Sequence, residues 1–236
     1  MGGSGTIGLR LDEILRRIGE ACRRSGRRRG EVTLVGVSKG QPLEKLVAAY
    51  QAGLRVFGEN RVQEAEEKAP RLPDDVQWHL IGPLQSNKVK KAVGLFQVVH
   101  TVDRPKIAHR LNQEAAAIGR RLPCFLEINL GREESKHGFD AMDLPQALGS
   151  LISLTHLEVM GLMAIPPYRE DPESSRSWFR QLRGLRDRLL TIDGFEGCPG
   201  WLSMGMSHDF EVAVEEGATH VRVGTALFGP RTTAKP

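Results

Sequence analysis

The run Thr33-Leu34-Val35-Gly36-Val37-Ser38-Lys39-Gly40-Gln41-Pro42 contains, in ten residues, the unit from which the whole chain is built. Thr33, Val35 and Val37 are β-branched and suit a strand, Gly40 supplies a turn, and Pro42 suits the first turn of a helix. The unit is strand, loop, helix, with a lysine where the strand ends. Its punctuation recurs along the chain. Eight β-rich apolar segments, 32–38, 55–58, 78–82, 98–102, 124–129, 159–165, 201–206 and 221–228, each end near Gly, Asn, Asp or Ser. Each is followed by a helical stretch or by the chain end.

The intervening stretches have helical periodicity, as in Trp178, Leu182, Leu185 and Leu189, with arginines on the opposing face. Leu11, Ile14, Leu15, Ile18 and Cys22 have the same spacing but precede the first strand, which predicts an extra helix covering one end of the fold. Eight strand–helix repeats within 236 residues match an α/β fold of the closed (β/α)8 TIM-barrel type better than a wide open sheet. No G-x-G-x-x-G follows the first strand, which removes the main reason to expect a dinucleotide-binding fold. No linker interrupts the pattern, so residues 1–8 read as a flexible leader and residues 9–236 as a single barrel domain.

Composition narrows the function classes. The net charge of +4 comes largely from arginines, several of them in the run Arg23 to Arg29, which could contact nucleic-acid phosphates. The aromatic residues are few and not interleaved with the basic ones, so a solvated helix end is the better reading and no nucleic-acid partner is expected. Cys22, Cys124 and Cys198 are odd in number and far apart, which argues against disulfides and a cysteine metal site and for a reduced, cytoplasmic protein. No His/Asp/Glu set has metal-ligand spacing. No apolar stretch is long enough to span a bilayer, so no membrane association is expected.

Three places carry chemistry. A desolvated Lys39 at a strand end is a Schiff-base former, because burial favours the neutral amine that attacks an aldehyde; a lysine snorkelling from a strand end is the structural alternative. At the end of strand seven, Ser203, Gly205 and Ser207 precede a helix, with Ser207 read as its N-cap. That arrangement makes an anion cradle, unless Ser207 only caps and Ser203 faces the core. In the last strand, Gly224 and Thr225 occupy the usual phosphate corner of a barrel, and period two puts Arg222 on the same face as Gly224, toward the interior. There it bonds a ligand or pairs with an acid such as Glu127.

Together these describe a ligand with an aldehyde, a phosphate and a polar ring, and pyridoxal 5′-phosphate (PLP) has those three handles. An arginine at the pyridine nitrogen leaves the ring unprotonated and makes a weak electron sink. Asn60 and Asn129, on loops after strands, either contact ligand or satisfy loop backbone; His79 reads as a hydrogen-bonded lining residue or, less simply, an acid or base.

The motifs resemble one family closely. Val37-Ser38-Lys39, Gly58-Glu59-Asn60 with Val62-Gln63-Glu64, His79 through Ile81-Gly82 to Gln85 and Asn87-Lys88 occur in order in the first half. Asn129 with Glu133, Lys136 and Gly138, Gly161-Leu162-Met163, Ser203-Met204-Gly205-Met206-Ser207 with Asp209, and Arg222 with Gly224-Thr225 complete the set. The chain is similar, over nearly its whole length, to the pyridoxal phosphate homeostasis proteins. The resemblance implies a barrel like the N-terminal domain of alanine racemases, the fold type III group of PLP proteins. It implies that Lys39 carries PLP as a Schiff base, that Ser203, Ser207, Gly224 and Thr225 hold the phosphate, that Arg222 faces the pyridine nitrogen and that Asn60 lies near the ring. It further implies a role in intracellular PLP homeostasis, as carrier or regulator without an established reaction, with PLP-dependent apo-enzymes as candidate recipients.

A PLP-dependent amino-acid racemase is the alternative. Two-base racemases of this fold use a tyrosine from a second domain of a partner subunit, whereas here only Tyr50 and Tyr168 exist and the chain ends after strand eight. No catalytic residue is therefore assigned, and a monomer is expected. Tyr168, after Pro166-Pro167, stays in consideration.

Overall fold

The β-branched runs form β1 (Thr33–Val37), β2 (Val56–Glu59), β3 (Gln77–Leu80), β4 (Val98–Val102), β5 (Leu122–Asn129), the two-residue β6 (Phe139–Asp140), β7 (Leu157–Met163), β8 (Trp201–Met206) and β9 (His220–Val223). The computed structural model describes residues 3–131, 137–142, 144–195 and 197–230. In it the strands lie in the order β4-β3-β2-β1-β9-β8-β7-β5, with β6 beside β5, and β4 also pairs with β5. All the pairings are parallel. The β4–β5 pairing joins the two ends of the sheet, so eight strands close into the expected TIM barrel.

The helices are α1 (Gly3–Arg24), α2 (Leu43–Gln51), α3 (Val62–Lys68), α4 (Val89–Leu95), α5 (Pro105–Ala117), α6 (Leu144–Leu151), α7 (Arg176–Leu189), α8 (Phe210–Glu215) and the single turn α9 (Thr225–Phe228). The main core lies between strands and helices, where α7 buries Phe179, Leu182, Leu185 and Leu189. The buried stripe thus starts at Phe179, with Trp178 only partly covered.

Three expectations are corrected. The last strand stops at Val223, because the Gly224 carbonyl accepts the N–H groups of Leu227 and Phe228 and turns residues 225–228 into α9. The leader is helical from Gly3 onward, with Ile7 buried; Met1 and Gly2 lie outside the described residues. And α1 packs against α2, α8 and α9, filling the outer ring where α9 is too short to do so, instead of covering an end. Ile7, Leu11, Ile14, Ile18 and Cys22 form its buried face.

Part of the arginine run that follows is taken up by this packing, while Arg23 and Arg28 stay exposed. Arg24 pairs with Glu215 at 2.6 Å, Arg29 donates to the Val32 carbonyl, and Arg27 donates to the carbonyls of Val214 and Ala218 at the C-terminal end of α8. From the other side Arg176, Arg180 and Arg183 converge on Glu216. Among the described residues no helix is long and apolar enough to cross a membrane.

One glycine is required by the sheet. The β5–β7 register shifts between Cys124 and Phe125, which pair with Val159 and Gly161, so Met160 is an extra residue in β7. At the resulting kink Gly161 has φ +152°, and a Cβ there would sit 1.9 Å from the Trp201 carbonyl oxygen. Gly161→Ala should lower the free energy of unfolding in urea by roughly 2–4 kcal/mol. Gly184→Ala, on the open face of α7 where an added Cβ meets nothing within 4 Å, should raise it by about 0.4–1 kcal/mol.

Candidate functional site

At the C-terminal ends of β1, β8 and β9 lies a cavity of about 270 Å³ that brings together Lys39, Asn60, Ser207, Arg222, Gly224 and Thr225. Val37, Ile81 and Ile165 give it apolar walls, and Tyr168 and His208, with ring centroids 5.4 Å apart, stand on its rim. Two larger hollows lack this chemistry. One is an apolar groove between α1, α2 and residues 228–230; the other is a polar cleft on the far side of Asn60, near Arg61, Lys88 and Arg104.

Lys39 is half-buried, two residues beyond β1, in a tight turn in which the Gln41 N–H donates to the Ser38 carbonyl (3.0 Å) and Gly40 adopts φ +64°. A β-carbon at that angle is strained, which is why glycine follows the lysine.

The opposite wall is built from the turns after β8 and β9. Ser207 is not the N-cap of α8: the helix begins at Phe210, and Asp209 precedes it, its Oδ1 accepting the Met206 N–H at 2.7 Å. Freed from capping, Ser207 Oγ accepts from the N–H groups of Gly224 (3.1 Å) and Ala226 (3.3 Å). With both lone pairs engaged, the hydroxyl proton is the group left to offer a ligand. Gly224 keeps the corner open, since a Cβ would stand 3.3 Å from Val37 Cβ. A hydroxyl oriented in this way by two amides, with Thr225 beside it on the same wall, suits an anion.

Arg222 enters from the barrel interior. It is buried, its Nη1 donating to Ser203 Oγ (2.5 Å) and its Nη2 to the Ala164 carbonyl (3.0 Å). Burial lowers its pKa to about 10, with Glu127 and Asp209 opposing the shift, so the guanidinium keeps its charge at neutral pH. Ser203 is wholly buried and is not on the cavity wall. Ser203, expected to hold the anion, bonds Arg222 in this structure, while Ser207 stands on the cavity wall.

A chain of polar groups continues below. Ser203 Oγ lies 2.8 Å from His100 Nδ1, and His100 Nε2 lies 2.9 Å from His79 Nδ1. With Ser203 accepting from Arg222 and donating to His100 Nδ1, His100 Nε2–H donates to His79 Nδ1; the buried His79 Nε2 has no partner among the described residues. Burial holds all three lumen histidines neutral: His79 falls to about 3, His220 to about 4, and His100 well below the usual value. This suits His79 to its lining role. His100 was not singled out from sequence; its signal is a histidine in the middle of β4, a strand whose other residues are three valines and a threonine.

Glu127 lies close enough to Arg222 to feel its charge, but no hydrogen bond joins the two. Burial, reinforced by Asp103, pushes the Glu127 carboxyl up to about 7 and Arg222 pulls it down, while its buried Oε2 has no partner among the described residues. Asn129 is half-buried at the end of β5, outside the cavity wall. Glu133 and Lys136 lie outside the described residues.

With this geometry in hand, the chain can be compared with known proteins. Residues 10–232 match the family model for the alanine racemase N-terminal domain. The pyridoxal phosphate homeostasis protein of Aquifex aeolicus is 45% identical, over 94% of this chain and 97% of that protein. The structure of PipY from Synechococcus elongatus with PLP bound is 38% identical, with a TM-score of 0.79 over 94% of this chain and 100% of that one. An alanine racemase from Clostridium difficile is 14% identical, with a TM-score of 0.74 over 98% of this chain and 58% of that one, a likeness of fold alone.

The buried histidines make the fold acid-sensitive. A histidine whose folded pKa is depressed takes up its proton on unfolding, so its contribution is full above about pH 6.5 and is lost as pH falls toward the folded values of about 4 and 3. Glu127, raised to about 7, acts in the opposite sense and favours the fold as it protonates. Urea unfolding across pH 7 to 4 should therefore show His220→Phe flattening the acid slope by about 1.4 kcal/mol per pH unit, and Glu127→Gln steepening it.

Proposed function

The chain belongs to the family of pyridoxal phosphate homeostasis proteins, and on that premise we propose that it binds pyridoxal 5′-phosphate covalently through Lys39, as a carrier or regulator of the cofactor. The observation that carries this reading is the meeting, on one cavity, of a primary amine, an anion cradle and a buried guanidinium. The donor set fits the cofactor at each of its handles.

Lys39 is the attachment point. The Ser207 hydroxyl, with Thr225 and the backbone at Gly224, holds the phosphate; Arg222 faces the pyridine nitrogen; Asn60 lies beside the ring, and Val37, Ile81 and Ile165 exclude water from its faces. When bound, the cofactor supplies an aldehyde for attachment and a ring that can draw off electron density. Arg222 limits the second property. It offers the ring nitrogen a hydrogen bond but no readily transferred proton, and Ser203 and the Ala164 carbonyl hold it so. The site favours holding the cofactor over turning substrate over.

We place this role in the cytoplasm, with one copy of the chain as the carrier and PLP-dependent apo-enzymes as recipients. The three free thiols Cys22, Cys124 and Cys198 support a reducing compartment.

Purified protein should take up PLP with a yellow colour, borohydride should trap it on Lys39, and Lys39→Ala should abolish both. Ser207→Ala should weaken uptake about ten-fold, the scale of a lost hydrogen bond to a charged group. A colourless wild type that takes up no PLP would refute the reading. Tyr168, on the wall of the same cavity, favours one rival, an amino-acid racemase. Exchange of amino-acid α-hydrogens with deuterated solvent should not exceed that of free PLP; fast exchange lost in Tyr168→Phe would establish the racemase.

A further inference from the structure

We propose that Glu59, Glu64 and Lys68 form a positioning group that clamps the peptide on both sides of Lys39 and thereby sets how long a cofactor attached there is held. The inference rests on Lys39 being the attachment point.

On the N-terminal side, the buried Ser38 is gripped twice. Its hydroxyl donates to Glu59 Oε1 (2.7 Å) and its carbonyl accepts from Lys68 Nζ (2.9 Å). On the C-terminal side, the Gly40 N–H donates to Glu64 Oε2 (2.8 Å). Lys68 ties the two grips together, bonding Glu59 Oε1 at 2.7 Å and Glu64 Oε2 at 3.3 Å. The backbone entering and leaving Lys39 is thus fixed to a single ionic unit behind the cavity.

The fold explains how the unit forms. Glu59 ends β2, the strand paired with β1, and Glu64 and Lys68 are one turn apart on α3. Asn60, which follows Glu59 directly and stands two residues before α3, reaches the cavity itself, so one short segment supports the lysine and lines its site.

Stability alone gives no reason for this arrangement. Burial raises the Glu59 carboxyl and Lys68 lowers it, while the buried Glu59 Oε2 has no partner among the described residues. Burial also works against the Glu64 carboxylate, yet the Gly40 N–H and Lys68 hold it below the usual range. Buried ion pairs seldom outperform apolar packing of the same volume, but they fix geometry. The geometry fixed here is that of the Lys39 turn. Attachment joins Lys39 Nζ to the aldehyde carbon with loss of one water, and release takes that water back. A loosened turn lets the attached group leave its phosphate cradle more often, so release quickens.

The test is the rate at which PLP-loaded protein loses cofactor to an excess of phosphatase, which destroys whatever is released. Ser38→Ala and Glu64→Gln, one on each side of Lys39, should each speed release about five-fold, the scale of one net hydrogen bond. Lys68→Met should speed it more. Glu66→Gln, which removes only the surface pair with Lys91, should release at the wild-type rate. If Lys68→Met does not fold, the two smaller variants decide. Release within about two-fold of wild type in folded Ser38→Ala and Glu64→Gln overturns the clamp, as does a lowered thermal midpoint with unchanged release. A wild type that borohydride cannot trap on Lys39 overturns instead the functional reading on which the clamp rests.

Discussion

A guanidinium inside a closed barrel is the constraint that organises this molecule. Arg222 is buried in β9, and its charge is met from β8 and from the end of β7. The Ser203 hydroxyl and the Ala164 carbonyl answer two of its nitrogens, and the Glu127 carboxyl adds a charge without a bond. A cation fixed here also bears on the polar layer beneath. Burial, and in His100 and His220 the field of Arg222 as well, keeps the histidines uncharged, and neutral imidazoles can then relay hydrogen bonds without adding charge to the lumen.

The strand order is what turns that constraint into a site. Because β1 lies between β2 and β9, the Lys39 turn adjoins the Gly224 corner on one side and Asn60 on the other. Closure through β4 and β5 then completes the wall of the lumen in which Arg222 lies. The outer ring protects the same corner: α9 is a single turn, and α1 occupies the space it leaves. The arginines of α1 and α7 pin α8, the helix entered directly from the Ser207 turn. The basic charge that suggested nucleic acid from composition is thus partly spent on the scaffold of the candidate site.

Strand ends were legible because β-branched runs, glycine and proline mark them locally; Lys39, Ser207, Arg222 and Gly224 were found that way, and all line the cavity. What failed was everything that depends on a backbone irregularity. Period two continues the last strand to Phe228, but the Gly224 carbonyl starts a helical turn instead. The β8–β9 register shifts between Ser203 and Met206, and Gly205 takes φ +91°, so counting along β8 cannot tell a lumen hydroxyl from a cradle hydroxyl. A cap is equally invisible when two residues compete for it, and Asp209 displaced Ser207. The family motifs named Glu59 and Glu64 without their task, because the bonds from Ser38 and Gly40 cross between segments more than twenty residues apart.

The two charged clusters carry the same physical logic to opposite ends of one ligand site. Arg222 is buried at a cost so that a donor stands at a fixed point on the floor, and Glu59, Glu64 and Lys68 accept a similar cost so that an amine stands at a fixed point on the wall. A turnover site needs groups whose protons move readily near neutral pH. Here the guanidinium stays protonated and the lumen histidines stay neutral across that range; Glu127, raised to about 7, does titrate there but does not line the cavity. Fixed charges of this kind favour a long-lived bound state over rapid proton traffic, which is the behaviour a cofactor carrier requires.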